Sequence, residues 1–513
     1  MEWFAAVLLV GHYVLLMCLC VFGLHRLHIT FQANHRYSQP TPTAEFEQLP
    51  IVTVQLPLYN EKFVVQRLID AAVAIDYPSQ LLQIQVLDDS TDETTRLAAA
   101  RISQYRSQGV WIEHHHRSVR TGFKAGALAE VSNKVAGEFV AIFDADFVPP
   151  QQFLQDTIHY FTDQEIGMVQ GRWDYLNRAD SLLTKIQAVM LDAHFSVEQA
   201  GRNSQGAFFN FNGTAGIWRK SAMDAAGGWQ ADTLTEDLDL SYRAQLAGYR
   251  FVYLRDLRCM SELPADMVAF KSQQHRWAKG GTEVMLKMLG KILKAPLSGA
   301  TKFEAFIHLT SNLTHLLILL DCVVFLIPAI VMRQTILPYP PIWVDLVLFC
   351  FGGLSHFYFY LSAQTNLGHS AWRTIWLIPL LIGTTIGISR SNGRGVFDAL
   401  LGRKSPFVRT PKQGQSKPKS SSASTGVSVL QVQGFTSSYL SKLKVGGQTL
   451  ECGLSLGYLI TLLWCVANQV YEAMPFLALF CFGFFFSGSS SLRTAIQTRL
   501  LTRPDYARVG SDA

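Results

Sequence analysis

Short motifs of chemically capable residues fall in one order along this chain: Asp88-Asp89, Asp144-Ala145-Asp146, Thr235-Glu236-Asp237 and Gln273-Gln274-His275-Arg276-Trp277. Asp144 and Asp146 follow the apolar run Phe139 to Phe143 and precede Pro149-Pro150, which stiffens the exit. Hard carboxylate oxygens suit Mn2+ or Mg2+, so Asp146 and Asp144 are the expected metal pair, one of them able to meet a ribose instead. Asp88-Asp89 closes the run Ile84 to Leu87, and its acceptors suit the imide and ribose donors of a nucleoside. Ser90-Thr91-Asp92-Glu93 behind it is equally a helix-capping series. Lys124 stands among small neighbours in Gly122-Phe123-Lys124-Ala125-Gly126, where a phosphate or a carboxylate can come close. Asp237 opens a helix-like stretch whose backbone N–H groups fix a carboxylate, and it is the expected general base for an acceptor hydroxyl. Arg276 suits the oxygens of a diphosphate, and the face of Trp277 suits a sugar ring. Together the motifs imply an enzyme that handles a nucleotide sugar. The run His114-His115-His116 alternates faces on a strand, so at most two of its rings could share a site, and it reads as structural.

Such residues must be brought to one edge. Ile51 to Leu56, Ile84 to Leu87 and Phe139 to Phe143 are β-rich runs, separated by helix-like stretches such as Glu61 to Ala74 and Asp92 to Tyr105. That alternation predicts an α/β domain with a mostly parallel sheet. Ligands bind at the carboxyl ends of such strands, and two of these runs end directly in Asp.

Of 513 residues, 49% are hydrophobic and only 16% charged, against about 25% in soluble proteins. The deficit sits at the two ends, leaving residues 45–300 with a soluble composition. The net charge of +5 clusters beside the apolar runs, and no stripe of Lys and Arg with interleaved aromatics is present, which excludes nucleic acid as a partner. The eight cysteines form no CxxC pair and read as packing residues.

Trp3 to Leu24 reads as a retained anchor, and Arg26 and Arg36 behind it place the following domain in the cytoplasm. Phe306 to Val331, Ile342 to Leu361, Cys452 to Val470 and Pro475 to Gly488 are further spans. Ile375 to Ile388 is apolar too, but a crossing there would put Arg390, Arg394, Arg403, Lys404, Arg409 and Lys412 outside; an interfacial placement avoids this. Asp321, inside the second span, is either functional or paired within the bundle.

Together these motifs resemble the processive family-2 glycosyltransferases of the cellulose-synthase superfamily, most nearly the plant cellulose-synthase-like A group of mannan and glucomannan synthases and its bacterial relatives. The resemblance runs from Val52 to the last span. It implies a GT-A-type α/β nucleotide-sugar transferase domain plus an α-helical transmembrane region of about five spans with interfacial helices. The corresponding boundaries are an anchor at 1–25, the cytoplasmic catalytic domain at 45–300, two spans at 304–363, an interfacial helix and gating-like loop at 370–412, a polar linker at 413–427, two spans at 450–490 and a cytoplasmic tail at 491–513.

By the same resemblance, Tyr59 and Glu61 of Tyr59-Asn60-Glu61, with Asp88, Asp89, Lys124, Asp144, Gln273 and Arg276, hold the nucleotide sugar. Asn212, Glu236 and Trp277 meet the acceptor; Asn212 stands where bacterial cellulose synthases carry Cys. Phe407, Thr410 and Lys412 match a gating loop in which Arg409 replaces Val. The implied partners are a nucleotide-sugar donor (UDP-glucose or GDP-mannose), a glycan acceptor, membrane lipids and Mn2+ or Mg2+. A non-processive synthase adding one sugar to a lipid is the alternative.

Overall fold

The computed structural model describes residues 2–336, 342–404, 414 and 446–501. The catalytic-type domain is built on a seven-stranded sheet: β1 (Val52–Leu58), β2 (Leu82–Asp88), β3 (Ile112–His116), β4 (Phe139–Ile142), β5 (Ile166–Tyr175), β6 (Gly216–Arg219) and β7 (Arg250–Ser261). Their order across the sheet is β3-β2-β1-β4-β6-β5-β7. β3, β2, β1 and β4 are parallel, as the alternating pattern predicts. β6 runs against both β4 and β5, so the sheet is mixed. The reversal has a use: Gly216 pairs with Ile142 at the carboxyl end of β4, which delivers the preceding Asn212-Gly213-Thr214 to the edge where Asp144 emerges.

Helices α1 (Glu2–His35), α2 (Val65–Val73), α3 (Thr94–Ser107), α4 (Phe123–Glu130), α5 (Leu182–Ala193), α6 (Glu236–Leu246) and α7 (Met267–Lys294) frame this sheet. On one face Val54, Leu56 and Phe143 pack with Val65, Leu68 and Ile69 of α2. On the other, Val140, Ile142 and Trp218 share a core with Ile29 and Ala33 of α1, far from the sheet in sequence. The polar residues that alternate along β1 and β2 are buried too and pair across the strands, Thr53 donating to Gln83 Oε1 at 2.7 Å and Gln55 Nε2 to Gln85 Oε1 at 3.0 Å.

Among the described residues, six helices are long and apolar enough to cross a membrane: α1, α8 (Leu313–Thr335), α9 (Trp343–Asn366), α10 (Ala371–Leu400), α11 (Gly447–Ala467) and α12 (Tyr471–Ile496). The chain is a membrane protein. The charges inside the bundle are paired: His12 Nδ1 lies 2.7 Å from Asp321 Oδ1, both side chains buried, and Tyr13 donates to Asp345, which also meets Arg333. Asp321 therefore takes the paired alternative.

The helix α10 is the one that hydropathy left ambiguous. Its Ile378 and Leu381 belong to the core beneath the sheet, and its Ile388 packs with Leu183, Met267 and Phe270 of the catalytic domain. Its opposite side meets α12, where Gly383 and Gly387 let the two backbones touch near Gly483. Trp372 and Trp376 at its start are exposed. A helix lined by the catalytic domain over this length is wedged between that domain and the bundle.

Candidate active site

A cavity of about 500 Å³ opens at the carboxyl edge of the sheet. Tyr59, Glu61, Asp89, Lys124, Asp144, Asp146, Asn212, Glu236, Asp237, Gln273, Arg276 and Trp277 all line it. Residues spread over more than two hundred positions thus meet in one cleft.

The first wall is the loop after β1. Asn60 adopts φ +54, a left-handed conformation that Asn tolerates better than most residues. Its backbone N–H donates to Ser90 Oγ at 2.8 Å, and its side chain accepts from Thr91 N–H at 2.8 Å. The loops after β1 and β2 are thereby stitched together. Asp89 faces the cleft, with both carboxylate oxygens bound by Arg117 at 2.6–2.7 Å. The Arg120 guanidinium lies 3.5 Å over the Tyr59 ring and 3.6 Å from Asp89.

Asp88 is placed differently. It is wholly buried outside the cleft lining and accepts from His114 Nε2 at 3.1 Å and Ser90 N–H at 2.8 Å. Burial raises its pKa, but the hydrogen bonds from His114 and Ser90 outweigh burial and hold it at about 2. Successive residues at a strand end point to opposite sides, so only one of the two aspartates can face a ligand. The His run takes its structural reading: His114 and His116 both turn to Asp88, and His115 turns to Glu113.

Lys124, one residue into α4, donates to Asp144 Oδ1 at 2.5 Å and to the Gly213 carbonyl at 2.7 Å. The backbone N–H of Asp144 in turn donates to Thr214 Oγ1 at 2.9 Å. One ammonium therefore joins the Asp144 loop to the loop that enters β6. Burial lowers the Lys124 pKa, yet Asp144 and Glu236 more than offset it, so the group is held charged.

Asp237 sits in the first turn of α6, where Leu238 N–H donates to its Oδ1 at 2.8 Å. Gly213, at φ +82, passes so close that a Cβ there would lie 2.9 Å from Asp237 Oδ2. Burial and the adjacent Glu236 push the Asp237 pKa up to about 7, against the pull of Lys124. Burial raises Glu236 as well, with Lys124 opposing. A carboxyl group poised near neutrality suits proton abstraction. Asn212 is held in place by Gln199, which donates to its Oδ1 at 2.6 Å, and by His194 Nε2, which accepts from its Nδ2 at 2.8 Å.

The remaining wall is α7. Gln273, Arg276, Trp277 and Gly280 share one face of it at helical spacing. A Cβ on Gly280 would meet Thr235 Cγ2 at 2.6 Å and its backbone nitrogen at 2.9 Å, so the helix packs directly against the base loop. Glu283 reinforces this by accepting from Leu234 N–H at 2.8 Å. Trp277 packs with Tyr175, Leu191 and Leu263, and its ring lies 6.4 Å from that of Trp173.

Sequence reasoning missed Arg117, Arg120, Trp173 and Glu283. The two arginines follow the His run closely enough to have been noticed; the other two carry no local signal. Phe407, Thr410 and Lys412 lie outside the described residues. Among the described residues no group of three or more His, Cys, Asp or Glu is arranged to hold a metal by itself.

A mixed α/β sheet with an acidic cleft at its carboxyl edge is the arrangement of a GT-A-like fold. The family model described as "Glycosyltransferase like family 2" matches residues 50–280, and the chain thus carries a family-2 glycosyltransferase domain. Over 251 residues it is 44% identical to glucomannan 4-beta-mannosyltransferase 7 of Arabidopsis thaliana, an alignment covering 48% of this chain and 45% of that protein. Over 249 residues it is 45% identical to a probable glucomannan 4-beta-mannosyltransferase 3 of Oryza sativa subsp. japonica, with the same coverages of 48% and 45%. The chain thus spans about half the length of the curated relatives it matches. In fold it is similar to a mannosyltransferase from Pyrobaculum calidifontis solved in complex with GDP-Man and Mn2+, at TM-score 0.51 and 18% identity, covering 79% of this chain and 99% of that one.

Proposed function

We propose that this chain transfers a hexosyl unit, in the first instance mannosyl from GDP-mannose, onto a growing β-glycan. The single observation that carries this reading is the convergence of Asp237, raised to about 7, with Lys124 and Arg276 in one cleft. The acceptor hydroxyl loses its proton to Asp237 as its oxygen attacks the anomeric carbon. The bond from that carbon to the diphosphate breaks on the opposite side, so one displacement inverts the configuration. Arg276 and Lys124 offset the charge left on the nucleoside diphosphate. Trp277, beside Trp173, offers a flat apolar face to the acceptor ring. The names of the similar plant proteins favour mannosyl over glucosyl transfer.

Asp144 and Asp146 present hard oxygens on the cleft wall and would be the residues to hold a divalent cation there. Mn2+ or Mg2+ bound there would neutralise the diphosphate. Arg26 and Arg36 support a cytoplasmic catalytic domain, and the packing of α10 against that domain supports five crossings with α10 at the interface. Among the residues outside the description, Phe407, Thr410 and Lys412 keep the gating role that the resemblance implies.

The test is product size. The purified protein in lipid vesicles is given radiolabelled GDP-mannose or UDP-glucose with Mn2+ or Mg2+. Label in a high-mass product cut by a β-mannan-specific or β-glucan-specific endoglycanase is expected. Label confined to an organic-soluble monoglycosyl lipid would sink the polymer reading.

A further inference from the structure

The helix α7 has two working faces. Gln273, Arg276, Trp277 and Gly280 look into the cleft, while Lys271, Gln274, His275 and Ala278 lie on the other side. That second face is bolted to the membrane helices. Lys271 Nζ donates to Glu451 of α11, to Ser491 Oγ of α12 at 2.9 Å and to the Ser487 carbonyl at 3.1 Å. Glu451 is fully buried and also accepts from Ser487 Oγ at 3.1 Å and from Arg390 Nε of α10 at 3.2 Å. One turn further along α7, the His275 Nδ1–H donates to the Ser391 carbonyl of α10 at 2.7 Å. Gly395 leaves room for that ring: a Cβ there would stand 3.1 Å from His275 Nδ1.

A buried carboxylate that collects two cations and a hydroxyl is expensive to place and loses its balance when any member is removed. Here it joins α7, α10, α11 and α12 within two turns of the groups that face the substrate. Ordinary helix packing would have served for cohesion alone. The polar bolt adds a fixed register, because its hydrogen bonds tolerate little sliding of α7 along the bundle.

We propose that Glu451, a residue of α11 outside the cleft, is a positioning residue for Arg276 and Trp277, acting through Lys271. The proposal rests on the transfer reaction above for its kinetic consequence, but not for its structural one. Neutralising Glu451 leaves Lys271 and Arg390 uncompensated and frees the first turns of α7. Arg276 then reaches the diphosphate from a less defined position, and a misplacement of about 1 Å at such a group is worth up to ~100-fold in rate.

The experiment compares the full-length wild type with Glu451→Gln, Glu451→Asp and Ser491→Ala in lipid nanodiscs, by steady-state kinetics and by hydrogen exchange over residues 271–281. Glu451→Gln is expected to lower kcat/KM for the donor about tenfold or more, and to speed exchange in 271–281 but not in β1 or β4. Glu451→Asp is expected to recover most of that loss. Ser491→Ala, which uncovers no charge, should move both readouts slightly in the same direction. Wild-type kcat/KM and wild-type exchange in Glu451→Gln overturn the proposal, as does a kcat/KM loss that Glu451→Asp fails to rescue and that leaves exchange in 271–281 unchanged. Should Glu451→Gln fail to fold, an unshifted Ser491→Ala overturns it instead. Absence of any sugar transfer by the wild type defeats the functional reading, while the exchange data still decide the coupling.

Discussion

Lys124 and Asp144 are joined at 2.5 Å, and the same ammonium reaches the Gly213 carbonyl at 2.7 Å, next to the Asp237 carboxylate. One cation thus ties the donor side of the cleft to the base side. It also supplies the positive charge that restrains the rise in Asp237 pKa.

Lys124→Met removes both effects. Loss of a preorganised charge opposite the leaving group is expected to lower kcat/KM by about 100-fold or more. In addition the acid limb of the kcat/KM profile should move to higher pH, because Asp237 loses the neighbour that opposes its burial. A drop in rate with an unmoved limb would assign Lys124 to the phosphates alone.

Glu236→Gln shifts the same limb the other way. Glu236 is the largest electrostatic cause that raises Asp237, after burial. Without it Asp237 ionises at lower pH, so the profile should extend toward acid. Rate measurements between pH 5 and 8, with the donor well below its KM, read this directly.

Asp237→Asn separates catalysis from stability. Transfer is expected to fall by roughly 100-fold to 10,000-fold, the range for a general base. The folded protein holds the Asp237 proton up to about 7, whereas an unfolded Asp releases it near about 3.9. Its contribution to stability is therefore present below that lower value and is lost as pH rises toward 7. The Asn variant escapes this loss, so its thermal midpoint should gain on the wild type across that window.

Gly280→Ala tests the seat of the base. An added methyl would press on Thr235 Cγ2 and its backbone nitrogen, two residues before Asp237. Transfer should fall while the protein still inserts in the membrane and exchanges normally in the sheet. Unchanged kcat would show that the loop yields without moving Asp237.

Much of this site is legible in the sequence because strands that end in Asp announce their own carboxyl edge. Asp89 and Asp144 are read that way, Asp237 as the start of a helix, and Arg276 and Trp277 by their spacing. What is not legible is long-range partnership. Nothing near Lys271 points to Glu451, 180 residues away, and nothing near Tyr59 points to Arg120. The helix α10 shows the limit of hydropathy: an apolar stretch packed on protein and one immersed in lipid have the same composition, and the packing of Ile378, Leu381 and Ile388 against the catalytic domain leaves no mark on it. The reversed strand β6 is hidden as well, since a strand's direction leaves no mark on its residues.

The pair Asp88-Asp89 makes a sharp test of reading by position. Asp89 lines the cleft and Asp88 is buried behind it, so Asp89→Asn should raise the donor KM while Asp88→Asn should spare it. Asp88 should instead appear in stability. Its folded pKa, about 2, lies below the unfolded value of about 3.9, so its contribution is present above that value and is lost as pH falls toward 2. Removing the charge takes away the acceptor that holds Ser90 N–H and His114, and Ser90 in turn holds Asn60. Asp88→Asn is therefore expected to melt earlier than the wild type at pH 7, with the gap closing as both are acidified. Melting curves at a series of pH values, run beside donor titrations, measure both halves. A raised donor KM in Asp88→Asn without a lowered midpoint would return Asp88 to the nucleotide and show that the buried pair with His114 opens when substrate binds.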